Sequence, residues 1–235
     1  MKNVAKVLIA LVLAWATAAT AAIIYSNGPT ATNSFVSDTD FPMFVADDFI
    51  LVAGANVITD VEWTGIYAFT NTPLTDNFTV QFFANVAGAP AVTPFVSLSI
   101  GNPGRTDTGI NLGNFDLFSY HVDVAPIPLA ANTVFWISIF NNTSADTNDN
   151  WFWGMQDAVG NSFNRASPAD AWMAQGNRQD FHLTGAVVPE PATLALLGLG
   201  LVGLGFSRRK QYGFRAHTCP GTAGLVVSTR PSSAA

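Results

Sequence analysis

Hydrophobic and polar positions alternate along most of the chain between residues 23 and 186, and that alternation predicts strands. In VITDVEW, Val57, Thr59, Val61 and Trp63 fall on one side while Ile58, Asp60 and Glu62 fall on the other, the period of two expected of a strand covered on one face. NFTVQFFA repeats the pattern with Phe78, Val80 and Phe82, and FSYHVDV with Phe118, Tyr120, Val122 and Val124. TVFWISIF is apolar on both sides and suits a central strand. Turn-rich stretches separate these runs: FTNTPLTDN, ANVAGAPAVTP, GNPGRTDTG and FNNTSADTNDN. Between residues 23 and 186 no segment combines helical periodicity over a useful length with capping residues. About eight short strands punctuated by turns predict an all-β sandwich, jelly-roll-like, as a single domain over 23–186.

The two ends follow other rules. Lys2 and Lys6, the apolar VLIALVLAWA and the small residues TAATAA form an export signal over 1–22, with cleavage expected near Ala21 or Ala22. The only cysteine is Cys219, so the exported domain has no disulfide and its stability must come from packing. Near the other end, the fifteen residues from Ala192 to Phe206 carry no charge and no proline. Such a helix is about 22 Å long at 1.5 Å per residue, short of the roughly 30 Å hydrocarbon core, and makes a marginal transmembrane helix. Arg208, Arg209 and Lys210 place its far side in the cytoplasm and the preceding domain outside. Gly198, Gly200 and Gly203 match G-x-G-x-x-G, but no strand precedes them and no acidic residue follows at the required spacing, which excludes a dinucleotide site.

The order Pro189-Glu190-Pro191, apolar helix over 192–206, then Arg208-Arg209-Lys210 resembles the PEP-CTERM sorting signal of exported bacterial proteins. The resemblance spans 187–210. It implies recognition by an exosortase, a membrane-embedded cysteine protease or transpeptidase, passage through the inner membrane, and delivery to the cell surface or extracellular matrix after processing near Pro-Glu-Pro. Two prolines around a carboxylate give a rigid extended segment that a membrane enzyme can read. The signal departs from the family pattern in one respect: an atypical tail, Gln211 to Ala235, follows the basic cluster and holds Arg215 and Arg230 but no acidic residue. More weakly, Ala46-Asp47-Asp48-Phe49 followed by the strand from Val57 to Gly65 resembles exported domains that carry this tag, which implies a β-sandwich and assigns no activity.

Charge narrows the function classes. From Ile23 to Val188, fourteen Asp and Glu62 stand against Arg105, Arg165 and Arg178, a net charge of −12. Such a surface repels nucleic acid, whose binding rests on Lys and Arg neutralising phosphates. The domain has no cysteine nucleophile, no G-x-S-x-G elbow and no H-E-x-x-H helix. Its two histidines, His121 and His182, fall on the polar side of alternating strands and read as surface residues. No enzyme is expected. The expectation is a non-catalytic surface or matrix protein, with a carbohydrate-binding module for an extracellular polysaccharide as the alternative and a glycan hydrolase built on paired carboxylates as the third.

Two groups of residues carry candidate binding chemistry. Asp146, Asn148 and Asn150 place oxygen ligands at two-residue spacing in a loop, and Asp38, Asp40, Asp47 and Asp48 do so elsewhere, which suits a structural Ca²⁺. Trp151 in the sixth position, where the turn needs Gly, excludes an EF-hand, and Asx-turns with solubilising charge are the competing explanation. Trp151 and Trp153 share one strand side beside these polar residues, as in aromatic platforms that stack on sugars. Core packing is the competing explanation for them, and the favoured one.

Overall fold

The computed structural model describes residues 21–28, 31–69, 76–145, 149–157 and 159–187. These residues form fifteen strands and no helix: β1 (Ala21–Ser26), β2 (Asn33–Val36), β3 (Phe44–Ile50), β4 (Ala55–Ala68), β5 (Phe78–Val86), β6 (Ala89–Pro90), β7 (Val96–Gly101), β8 (Thr106–Leu112), β9 (Phe115–Pro128), β10 (Val134–Phe140), β11 (Asn150–Gln156), β12 (Phe163–Arg165), β13 (Met173–Ala174), β14 (Arg178–Gln179) and β15 (Phe181–Val187). The described residues are all-β. Residues 1–20 of the export signal expected over 1–22, the apolar segment 192–206 and the tail 211–235 lie outside the described residues. Among the described residues no helix is long and apolar enough to cross a membrane.

Two antiparallel sheets share one core. The first contains β1, β2, β4, β8, β9, β11, β14 and β15; the second contains β3, β5, β6, β7, β10, β12 and β13. The axis of the first is β4, fourteen residues long. β9 runs along one edge of β4, while β15 takes its first half and β11 its last residues on the other. Asp180 sits where β11 and β15 part. Its N–H donates to Gly154 O (2.7 Å), its carbonyl accepts from Trp153 Nε1 (3.0 Å), and its carboxylate accepts from Thr64 Oγ1 (2.5 Å). The backbone N–H and C=O of Asp180, which the divergence would leave without strand partners, are therefore both paired.

Phe78, Val80 and Phe82 of β5 and Tyr120 of β9 enter the core as the alternation predicts. β10 lies between β3 and β5 and is buried on both sides; Phe163 packs on its outward Trp136, and Trp172 covers Phe83 of the neighbouring β5. The predicted phase of β4 is half right. Val61 and Trp63 point inward, but Ile58 is in the core while Val57 and Thr59 are only half-buried. A bulge between Ile58 and Asp60 gives β4 one residue more than the facing β15 and reverses the alternation upstream of it. The strand count also exceeds the expectation of about eight. Bridges as short as β6, β13 and β14 carry no periodic signal, and β8 lies within a stretch that reads as turn because most of it is exposed and polar.

Two buried aspartates join the sheets. Asp47 of β3 accepts from Asn27 Nδ2 (2.7 Å), the Gln179 N–H (2.6 Å) and the Asp48 N–H (2.9 Å), so a strand of the second sheet is tied to two segments of the first. Asp38 accepts from the N–H groups of Asp40 (2.9 Å), Thr143 (3.3 Å) and Trp151 (2.8 Å) and from Thr143 Oγ1 (2.9 Å). The bond to Asp40 is an Asx-turn. These carboxylates are occupied by backbone donors, the arrangement that lets a charge-bearing side chain be buried.

Candidate functional site

The outer surface of the first sheet carries the chemistry. Glu62 in β4 is the register partner of His121 in β9 and of His182 in β15, so two imidazoles flank one carboxylate. One step along the strands, Asp60 lies between Asp123 and Thr184. Asp60 and Glu62 lie opposite the inward-facing Val61 and Trp63, downstream of the bulge, and so share the outer side of β4. Donor atoms of Asp60, Glu62 and His121 all lie within 4.8 Å of one another. His121 Nε2 contacts Asp60 Oδ2 and stands 3.9 Å from Asp123 Oδ1.

Burial divides the roles of these groups. Asp60 is only 5% exposed, and its Oδ1 has no hydrogen-bond partner. Burial pushes its pKa up, the adjoining His121 pulls it back down, and the charges of Glu62 and Asp123 push it up further. By contrast, the His121 side chain is 59% exposed. His182 is half-buried, with Nδ1 enclosed and unpartnered and Nε2 3.9 Å from Asp180 Oδ1.

Beside the cluster lies an open cleft of about 510 Å³, lined by Glu62, His121, Tyr120, Ser119, Thr106 and Arg105 among others. Arg105 stands over the rings of Tyr67 (5.3 Å) and Phe118 (5.4 Å) and pairs with Asp76 at 3.5 Å. The Tyr67 hydroxyl donates to Asp76 and accepts from Asn141 Nδ2 (2.7 Å). Burial holds this hydroxyl well above the usual phenol range, with the charges of Tyr120 and Asp76 adding to the rise, so it stays protonated as a donor.

The residues singled out by sequence are distributed differently. Trp151 and Trp153 are 0% exposed, packed between the sheets against Phe78 and Phe181, where no sugar can reach them. Their indoles serve the core. Asn150 begins β11 with its Oδ1 enclosed and unpartnered, while Asp146 and Asn148 lie outside the described residues. Alternation placed His121, His182, Asp60 and Glu62 on a polar surface. It carried no information on which strands would be neighbours, so their convergence could not be read from it.

The last strand leads directly into the other functional region. β15 ends at Val187, and residues 187–210 match the PEP-CTERM protein-sorting motif. The chain carries a PEP-CTERM sorting signal. It includes Pro189, Glu190, Pro191, Arg208, Arg209 and Lys210, all outside the described residues. The signal marks an exported protein of the kind recognised by an exosortase. No curated protein and no solved structure matches the chain. The sorting signal begins where the described core stops, since Leu183 is the last of the buried core residues.

Proposed function

We propose that the chain is a non-catalytic component of the bacterial cell surface or extracellular matrix, delivered there when an exosortase processes it near Pro189-Glu190-Pro191. The observation that carries this reading is the sorting signal at 187–210, directly after the final strand of a folded body. Cutting at the Pro-Glu-Pro segment removes the apolar stretch and leaves β15 whole. For the body we infer a jelly-roll sandwich, supported by the shared core of two antiparallel sheets and by a chain that passes repeatedly between them, as from β3 to β4 to β5. With Trp151 and Trp153 in the core, no observation favours a polysaccharide-binding role.

The intact mass of the protein recovered from membranes and from the surface and medium fractions tests this. The expected result is a membrane form that retains residues beyond 191 and an external form that ends near Pro189 to Pro191. A full-length membrane form with no external counterpart, in cells with an active exosortase, would overturn the reading.

A further inference from the structure

We propose that Asp60, Glu62 and His121 form a binding site for a divalent transition metal of the zinc class on the outer surface of the first sheet. The three residues supply two carboxylates and one imidazole, with donor atoms within 4.8 Å of one another. Ligands at about 2.0–2.2 Å from a common ion fall within such a separation. Two neighbouring strands hold them. Asp60 and Glu62 project to the same side of β4, and His121 projects beside Glu62 from its register partner position on β9, so the ligands ride on sheet backbone and not on a loop.

A second observation points to the missing ion. Asp60 is nineteen-twentieths buried, yet Oδ1 has no donor. An enclosed carboxylate oxygen without a partner is costly, and native structures rarely leave one. Its surroundings supply negative charge, with Glu62 adjacent and Asp123 across the strand pair. No lysine lies between residues 23 and 188, and Arg105, in the neighbouring cleft, is paired with Asp76. A dication between Asp60 and Glu62 supplies both the missing partner and the missing charge.

The donor set identifies the class of ion. Ca²⁺ and Mg²⁺ take oxygen ligands, whereas an imidazole with carboxylates suits Zn²⁺ and its first-row neighbours. His121 coordinates through Nε2, the atom that faces Asp60, and zinc there displaces the proton from that nitrogen to solvent or leaves it on Nδ1. Three protein ligands leave a fourth position, and the cleft opens beside it. The site uses none of Asp146, Asn148 and Asn150.

The test uses the full chain in detergent, stripped of metal, on a background in which His217→Ala and Cys219→Ser remove the tail's own zinc ligands. Equilibrium dialysis against micromolar Zn²⁺, with metal counted by mass spectrometry, should find a single zinc per chain, lost in His121→Ala and in Asp60→Asn. Zinc should raise the Tm of the parent and not that of His121→Ala. His121 is largely exposed, so its variant is expected to fold even where Asp60→Asn does not. Equal zinc content in the parent and in His121→Ala, no bound zinc in the parent, or displacement of the zinc by excess Ca²⁺ would each overturn the proposal.

Discussion

Ala22 in β1 and Gly185 in β15 are register partners, so the start of the described body and its end lie side by side and antiparallel. β1 begins at Ala21, where export cleavage is expected, and β15 ends where the sorting signal begins. The expected export cleavage and the start of the sorting signal at residue 187 therefore fall at the same end of one strand pair. Ile24 and Leu183, the core hydrophobic residues nearest the two points, lie inside them.

Truncation at the two sides of β15 should give opposite results. A chain from Ile23 to Val188 should fold with a Tm within about 2–4 °C of the longer form, the shift expected of a change near 1 kcal/mol. One ending at Asp180 should not fold, because it loses Phe181, Leu183 and the pairing with β1 and β4. Circular dichroism melts of the two chains decide the matter, and a cooperative transition in the shorter one would contradict this role for β15.

Gly65 makes room for Trp151. A Cβ at residue 65 would stand 2.5 Å from two atoms of the indole, which is itself enclosed by Phe78 and Tyr120. Gly65→Ala should destabilise by about 1–3 kcal/mol, the usual range for overpacking. Adding Trp151→Leu should make the two effects clearly non-additive, because the clash disappears with the ring. Urea unfolding of the four-member cycle measures the coupling, and additive effects would show that the contact is not what sets the cost.

Asp47 should make stability fall as pH rises. Burial pushes its pKa up to about 7, aided by the Asp48 charge and opposed by the hydrogen bonds from Gln179 and Asp48. In the unfolded chain the same group titrates near about 3.9. Between those values the folded form holds a proton that the unfolded form has released. The contribution is therefore complete below about pH 4 and is lost as pH rises through about 7. Burial shifts Asp38, Asp60, Asp76 and Asp180 in the same direction. The Tm should decline from pH 5 to 8, and less steeply in Asp47→Asn; parallel profiles would remove Asp47 as a cause.

Asp38 should be among the most sensitive positions. Asp38→Ala leaves the buried Thr143 N–H, Thr143 hydroxyl and Trp151 N–H without their acceptor. At about 1–3 kcal/mol for each buried donor left unpaired, the loss should reach at least about 3 kcal/mol. Denaturant titration reads this directly. A loss under about 1 kcal/mol would mean that water replaces the carboxylate without penalty.

The sorting signal and the strand content were legible in the sequence because each rests on local chemistry: Pro-Glu-Pro before an uncharged stretch and a basic triplet, and residues alternating with the pleat. Phe78, Val80, Phe82, Tyr120 and Trp63 followed that alternation into the core. The tertiary structure decided the rest, since strand pairing joins residues far apart in the chain. A single bulge after Ile58 reversed one stretch of β4, and register set Glu62 between His121 and His182. Burial likewise separated similar residues. Asp47 and Asp60 look alike in sequence, yet backbone donors satisfy the first while the second keeps an oxygen without one, because hydrogen-bond partners are assigned only when the sheets close on each other.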